Sequence, residues 1–411
     1  MSAAPVTQQR TLRVLHVIAS MSPKHGGPTD AILRIHPQLQ RLGIECLVAS
    51  TSDDLDNQLD VPHGRPVDFL GAKAVFFPNT FRTPRRLRDF AFSPPMHRWL
   101  QENIRTFDVL HVHALFSFAT SRAMAIACRD GVPFISRPLG VLGKWAMQHG
   151  AWHKKMFLAL CERRLLNHAA AIEYNSDLER DEAAALGISA PARVIPLGFE
   201  PVPDAPDARA SFCQQHHIDS TRLLVIFLGR IDPKKGLEFL LQACASLPRD
   251  SFHLIIAGAG QIEYEAAMKQ RIRDLQMESS TVWAGFLQGD AKTLALRAAD
   301  VFVLPSHSES FGIAVAEAMS AGCAIITTTA VPLASLVSKH DAGWIVSPEA
   351  SSVAAALREA QKDSQRTSAR GRNAAQIARS SLSYEAVAPQ LASLYRDIAR
   401  KAFVGEVRNL S

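Results

Sequence analysis

Along this chain, short and nearly unbroken apolar runs alternate with longer stretches in which apolar residues return every third or fourth position. LRVLHVIAS, ECLVAS, DVLHVH and PFISR are runs of the first kind in the first half, followed by LLVIFLG, FHLIIAG, STVWAG, VFVLPS and CAIITT in the second. PTDAILRIHPQLQRLG and EYEAAMKQRIRDLQ are stretches of the second kind. A strand that is apolar along its whole length is buried on both faces, so the alternation predicts an α/β fold of parallel sheets covered by helices. SYEAVAPQLASLYRDIARKAF, from Ser383 to Phe403, predicts a long terminal helix. The sequence carries no repeat of fixed period and no low-complexity tract.

One stretch breaks the rhythm. PLGFEPVPDAPDARA, Pro196 to Ala210, is rich in proline, which continues neither a helix nor a central strand, and it reads as an interdomain linker. The expected domains are therefore 1–200 and 208–382, with a terminal helix over 385–411. The 411 residues are enough for two separate cores, and 47% hydrophobic with 20% charged residues excludes a disordered chain. Residues 1–200 hold 23 Lys+Arg against 18 Asp+Glu, so most of the net +6 lies there. That excess points to an anionic partner, a phosphate-bearing acceptor or a membrane surface. No basic stripe interleaved with aromatics is present, so nucleic acid is not expected. Cys46, Cys128, Cys161, Cys213, Cys244 and Cys323 lie far apart with no CxxC spacing, which argues against zinc and for a reducing compartment. The N-terminus has no secretory pattern and no run is long enough to span a bilayer, so a cytoplasmic location is expected.

Candidate chemistry concentrates in the second half. SESFGIAVAE follows the strand VFVLPS and places Glu309 and Glu317 at either end of an apolar helix start. With the helix beginning near Phe311, the amides of Phe311, Gly312 and Ile313 have no intrahelical acceptor and form a phosphate site with the positive end of the helix dipole. Glu317 lies roughly 7–8 Å further along the axis, at 1.5 Å per residue, within reach of a ribose. Glu309, before the helix, falls where a sugar on the diphosphate would lie. The bland alternative is dipole compensation by Glu309 beside an exposed Glu317. GRIDPKKG, Gly229 to Gly236, follows the strand LLVIFL and presents Arg230 and Lys235 at the carboxyl edge of a parallel sheet, where ligands of such folds bind.

GRIDPKKGLE followed by AADVFVLPSHSESFGIAVAEAMSAGCAII resembles the donor-binding half of the retaining glycosyltransferases of family 4, whose E-x7-E signature is the glutamate pair. HGGPTDAILRIHPQLQRLG, DVLHVHALFSF and the segment from RPLGVLGKW through VIPLGFE are similar to that family's first half, so the resemblance covers nearly the whole chain. It implies the GT-B fold: two Rossmann-like domains with parallel sheets facing across a cleft, and a C-terminal helix returning to the N-terminal, acceptor-side domain. It implies that Arg230 and Lys235 neutralise the diphosphate leaving group, that Glu309 holds the donor hexose, and that Glu317 holds the ribose. Gly229 belongs to the same donor site. Gly26 and Gly27 would let backbone amides approach the donor phosphate as a small anion nest. His113, two residues beyond His111 on the same strand face, corresponds to the family's residue near the reacting centre, and His111 is left structural.

The implied activity is transfer of a hexosyl unit from a UDP- or GDP-sugar to a hydroxyl, with retention by front-face substitution and no catalytic metal or cofactor. The expected setting is cell-surface or exported polysaccharide or lipopolysaccharide synthesis on a glycan or lipid-linked acceptor. Alternatives are a silent nucleotide-sugar-binding subunit, an epimerase or a glucan synthase. Asp54-Leu55-Asp56 forms a DxD triplet of the metal-chelating kind, read here as an acid-rich loop. Two basic stretches, 81–90 and 144–168, are candidates for docking on an anionic membrane from the cytoplasmic side; the first is open between docking and solvation, and the second reads rather as a helix packed on its own domain with solvated basic residues. Ser335 stands where the family often has glutamate, and Ser310 where many relatives have glycine.

Overall fold

The computed structural model describes residues 11–55, 57–148 and 151–409. The chain forms two compact units: one comprises residues up to Gly198 together with those from Val387 onward, and the other Phe199–Ala386.

The first unit is built on an eight-stranded sheet. Its strands are β1 (Leu12–Ser20), β2 (Ile44–Thr51), β3 (Pro66–Phe69), β4 (Ala72–Phe77), β5 (Val109–His113), β6 (Phe134–Arg137), β7 (Ala171–Tyr174) and β8 (Ala192–Val194). The spatial order is β8-β7-β6-β5-β1-β2-β4-β3, parallel throughout except for the edge hairpin of β3 with β4. Alternate residues of one strand feed opposite faces. Val75 and Phe77 of β4 join one core cluster, whereas Ala74 and Phe76 join the other. Helices α1 (Gly27–Arg41) and α2 (Phe118–Asp130) follow β1 and β5 as crossovers, which parallel strands require.

The second unit carries β9 (Leu223–Leu228), β10 (Phe252–Ala257), β11 (Thr281–Gly285), β12 (Val301–Leu304), β13 (Ala324–Thr328) and β14 (Gly343–Val346). All six are parallel in the order β11-β10-β9-β12-β13-β14, the doubly wound Rossmann arrangement. The helices that matter for the site are α3 (Leu237–Ala245), α4 (Gly289–Ala298) and α5 (Ile313–Ala321). The terminal helix α6 (Tyr384–Asn409) carries the chain back into the first unit, where Tyr395 is fully buried and Arg396 donates to the Leu42 carbonyl.

The proline-rich stretch is not a free tether. The Val202 amide donates to Ser320 Oγ, and Arg297 donates to the carbonyls of Val202 and Pro203 and pairs with Asp204 at 2.6 Å. Proline stops regular structure there, while side-chain donors of the second unit satisfy the exposed carbonyls.

Candidate active site

In an open parallel sheet, ligands bind beyond the carboxyl ends of the strands where the strand order reverses. In the second unit that point lies between β9 and β12. The turn after β9 is GRIDPKKG, and the loop after β12 is PSHSESFG. Both sequence-derived motifs therefore meet at one switch point. The two loops are joined there: the His307 amide donates to the Lys234 carbonyl at 2.9 Å, and Lys235 Nζ pairs with Glu309 Oε1 at 2.5 Å. Ser306 Oγ donates to the same carboxylate oxygen at 2.8 Å. Gly236 makes the approach feasible. Its φ of 69° is left-handed, and a Cβ there would overlap the Pro305 carbonyl.

Helix α5 starts at Ile313, two residues later than the sequence suggested, because Gly312 adopts φ 94° and serves as the N-cap without a side-chain acceptor. Among the described residues the amides of Phe311, Gly312, Ile313 and Ala314 have no backbone or side-chain acceptor, which leaves the helix tip bare. The Phe311 ring itself is core, 3% exposed. Glu317 lies in the first turns of α5 and pairs with Lys292 of α4 at 2.7 Å. Arg230 is exposed, with no hydrogen bond or ion pair among the described residues. The Gly229 amide is used inside the sheet, donating to Ala257 O at 3.0 Å, so Gly229 shapes the turn and offers no amide to a ligand.

The first unit has its own switch point between β1 and β5. Gly26 follows β1 at φ 76° and caps α1, yet its amide donates to the Pro23 carbonyl at 3.0 Å. The two-glycine nest is thus reduced to the Gly27 amide. His113 ends β5, buried but for 4% of its surface. His111 and His113 do share a face, with ring centroids 4.1 Å apart, and His16 of β1 stacks on His113 with its Nδ1 2.9 Å from His113 Nε2. His111 Nδ1 lies 2.7 Å from the Tyr395 hydroxyl, and its Nε2 3.2 Å from Glu173, which is paired with Arg137 at 2.8 Å. Burial first, then neighbouring positive groups, holds the pKa of His16, His111 and His113 well below the ordinary imidazole value, so these rings are neutral.

Among the described residues two groupings could offer three metal ligands, His16 with His36 and Cys46, and His16 with His111 and His113, in each case with ligand atoms within 4.8 Å. In the second, one nitrogen each of His16 and His113 is already bonded to the other. In the first, burial pushes the Cys46 thiol up to about 12, which keeps it protonated.

Several residues here escape a reading by motif. The loop leaving His113 holds two non-glycine residues at left-handed angles, Ala114 (φ 62°) and Phe116 (φ 64°). Glu162, on the π-helical turn Leu158–Glu162, pins it: its two oxygens accept the Phe116 amide, and Oε1 also accepts Ser121 Oγ at 2.7 Å. Strained backbone and π-turns cluster at functional sites. Gly258 and Gly260, after β10, lie beneath the carbonyls of Gly229 and Ile231, with no room for a Cβ. The run GAG after FHLIIA was the available signal. The triplet Asp54-Leu55-Asp56 falls partly outside the described residues. Asp54 bonds Lys24 and Ser22, and the Lys24 bond chiefly lowers its carboxyl below the ordinary range. In the basic stretch 81–90, Arg88 is buried against Asp53, Asp89 and the Leu55 carbonyl, so it holds structure.

Comparison with known proteins decides the family. Residues 209–377 match the family model for glycosyl transferases group 1, and residues 26–198 match the glycosyl transferase 4-like domain. This chain belongs to the glycosyl transferases group 1 family, of the family 4 type. An uncharacterized glycosyltransferase of Methanocaldococcus jannaschii is 29% identical over 36% of the chain and 38% of its own length. A D-inositol 3-phosphate glycosyltransferase of Mycolicibacterium gilvum is 26% identical over 54% of the chain and 50% of its own length. The chain thus spans half or less of those two relatives. It matches 95% of the GDP-mannose:cellobiosyl-diphosphopolyprenol alpha-mannosyltransferase of Komagataeibacter xylinus, at 26% identity over 95% of itself. Among solved structures, Anabaena HepE in complex with UDP superposes with a TM-score of 0.74 at 20% identity, covering 94% of this chain and 100% of that one. Sucrose-phosphate synthase of Thermosynechococcus elongatus gives 0.72 at 19%, covering 94% and 98%. The glycosyltransferase family thus has the GT-B type of paired Rossmann-like units in this chain as well.

Proposed function

We propose that the protein is a retaining glycosyltransferase that moves a hexosyl unit from a nucleoside diphosphate sugar to a hydroxyl acceptor. The observation that carries this reading is that the turn holding Arg230 and Lys235 and the loop leading to the bare tip of α5 both leave the sheet at its switch point, joined there by the Lys235–Glu309 pair. A diphosphate placed there meets unpaired amides at one end and fixed cations at the other. Lys235, paired with Glu309 in this structure, exchanges that carboxylate for a phosphate oxygen as the donor enters. The exchange frees Glu309 to accept hydrogen bonds from hexose hydroxyls while Lys235 and Arg230 stabilise charge developing on the leaving group. Glu317 accepts from the ribose once Lys292 shares it. The departing phosphate takes the acceptor's proton on the same face, so the reaction needs neither a second carboxylate nor a metal.

Relatives support donors of two kinds: HepE has been solved with UDP-glucose, and the Komagataeibacter enzyme is named for GDP-mannose. That second enzyme acts on a diphosphopolyprenol, which supports a lipid-linked acceptor and a role in cell-surface or exported polysaccharide synthesis. Peripheral membrane contact agrees with the exposed Trp145, Trp152, Met156 and Leu160 beside Lys154 and Lys155 in the stretch 144–168. No helix among the described residues is long and apolar enough to cross a membrane.

The test is incubation with a panel of UDP- and GDP-hexoses, following nucleotide release and the anomeric configuration of the freed sugar by proton NMR. Slow release of sugar with the donor's configuration, unchanged by EDTA, is expected. Thermal stabilisation by nucleotides without turnover would instead identify a silent binder, and turnover that EDTA abolishes and manganese restores would return the DxD triplet to consideration.

A further inference from the structure

We propose that His16 is a positioning residue: its Nδ1–H donates to His113 Nε2 and fixes His113 in the tautomer that carries its own proton on Nδ1. The first unit then offers a hydrogen-bond donor at its switch point, suited to a hydroxyl or ether oxygen of a sugar, and no base. The inference rests on the assignment of His113 as the substrate-facing group of its unit.

The geometry leaves two arrangements. His16 Nδ1 and His113 Nε2 lie 2.9 Å apart in the interior, a distance that holds one proton between two nitrogens. If His113 donates that proton, neutral His16 carries its own on Nε2. That nitrogen is buried with no hydrogen-bond partner among the described residues. If His16 donates, the same Nε2 is a bare lone pair. An orphaned buried N–H is the rarer and costlier of the two outcomes, so His16 donates. Neutral His113, with Nε2 accepting, must then be protonated on Nδ1.

The surroundings hold this choice. The groups facing the pair are His36, with its ring 4.6 Å from that of His16, Cys46, His111, Tyr395, Arg137 and Glu173. None of them donates to His16 Nε2, and His36 Nε2 is likewise without a partner. Burial, then the neighbouring imidazoles and Arg137, lowers the pKa of both rings, which excludes the doubly protonated form that would blur the tautomers. The two ring planes lie within 10° of parallel with centroids 5.1 Å apart, which keeps the in-plane Nδ1–H of His16 directed at the His113 ring.

The experiment is long-range proton–nitrogen NMR on the full chain with 15N-labelled histidine, from pH 6 to 8. Resonances are assigned by their loss in His16→Asn and His113→Asn. Nitrogen shifts of a protonated Nδ1 and an unprotonated Nε2 for His113, constant across the range, are expected. A protonated Nε2, or a midpoint within the range, overturns the inference. Kinetics separate it from the reading it rests on. His16→Leu should lower kcat by about tenfold, the equivalent of one hydrogen bond, with KM for UDP-glucose or GDP-mannose little changed. His16→Asn, which keeps an N–H near the Nδ1 position, should recover most of that loss. If His113→Ala leaves donor turnover intact while the tautomer is as stated, the substrate-facing role of His113 fails and the His16 bond stands. If His113→Ala abolishes turnover and the tautomer is reversed, the role stands and the inference fails.

Discussion

A lysine and a glutamate bound to each other suit a phosphate site only if the pair opens. Lys235 and Glu309 have side chains 19% and 9% exposed, so each is costly to leave alone. That cost accounts for their pairing and, on the proposed reading, lets a diphosphate that brings its own charge take the place of Glu309. Lys235→Ala is expected to reduce donor turnover by about a hundredfold or more, the scale for removing a group aimed at developing negative charge. Near-normal turnover by that variant would remove Lys235 from the leaving-group role. Glu317→Ala should weaken free nucleotide by about 1–3 kcal/mol in calorimetry, a lost charged hydrogen-bond acceptor. Unchanged affinity would leave Glu317 as a partner of Lys292 alone. These residues were legible because strand-to-helix turns with glycine, cations and a helix start carry a strong local pattern. Lys292 was not, since nothing in GDAKTLALRA marks a lysine whose partner is 25 positions away.

At the scale of elements, close backbone approach sets the geometry. Gly236→Ala places a Cβ against the Pro305 carbonyl at a left-handed φ, and should cost about 2 kcal/mol or more. A thermal midpoint equal to wild type would show that the two loops do not meet as described. The π-turn glutamate gives a signed pH effect. Burial pushes the Glu162 carboxyl from 4.5 up to about 7. Between those values the folded chain keeps a proton that the unfolded chain has released, so stability falls as pH rises through that window. The loss amounts to about 3 kcal/mol at 1.36 kcal/mol per unit, and Glu162→Gln removes it. Thermal melts at pH 5 and pH 8 should show wild type losing more stability than the Gln variant, and parallel losses would contradict the assignment. The strand AIEY shows why some elements stayed hidden. Glu173 interrupts its apolar run, and the groups that make a buried carboxyl there tolerable, Arg137 at 2.8 Å and His111 at 3.2 Å, come from other strands.

At the scale of the whole molecule, the apolar rhythm was sufficient to indicate parallel sheets and two cores, but it contains no strand order. Order decides which loops meet, because only the reversal between β9 and β12 brings GRIDPKKG beside SESFG, and only that between β1 and β5 brings His16 beside His113. Proline in the seam shows where regular structure stops, not which unit supplies the donors that hold it. The basic first half predicts that the protein floats with vesicles containing anionic lipid and less with neutral ones, increasingly so at low salt. Equal recovery with both would limit the basic stretches to solvation.

Calorimetric titration of UDP, GDP and ADP, each against its nucleoside, into wild type and the Arg230→Ala/Lys235→Ala double variant bears most directly on the diphosphate site. The expected result is that at least one diphosphate binds wild type far more tightly than its nucleoside, and that the double variant loses most of that difference while nucleoside binding is unchanged. A diphosphate that binds both proteins equally well would place the phosphates away from the switch point of the second sheet.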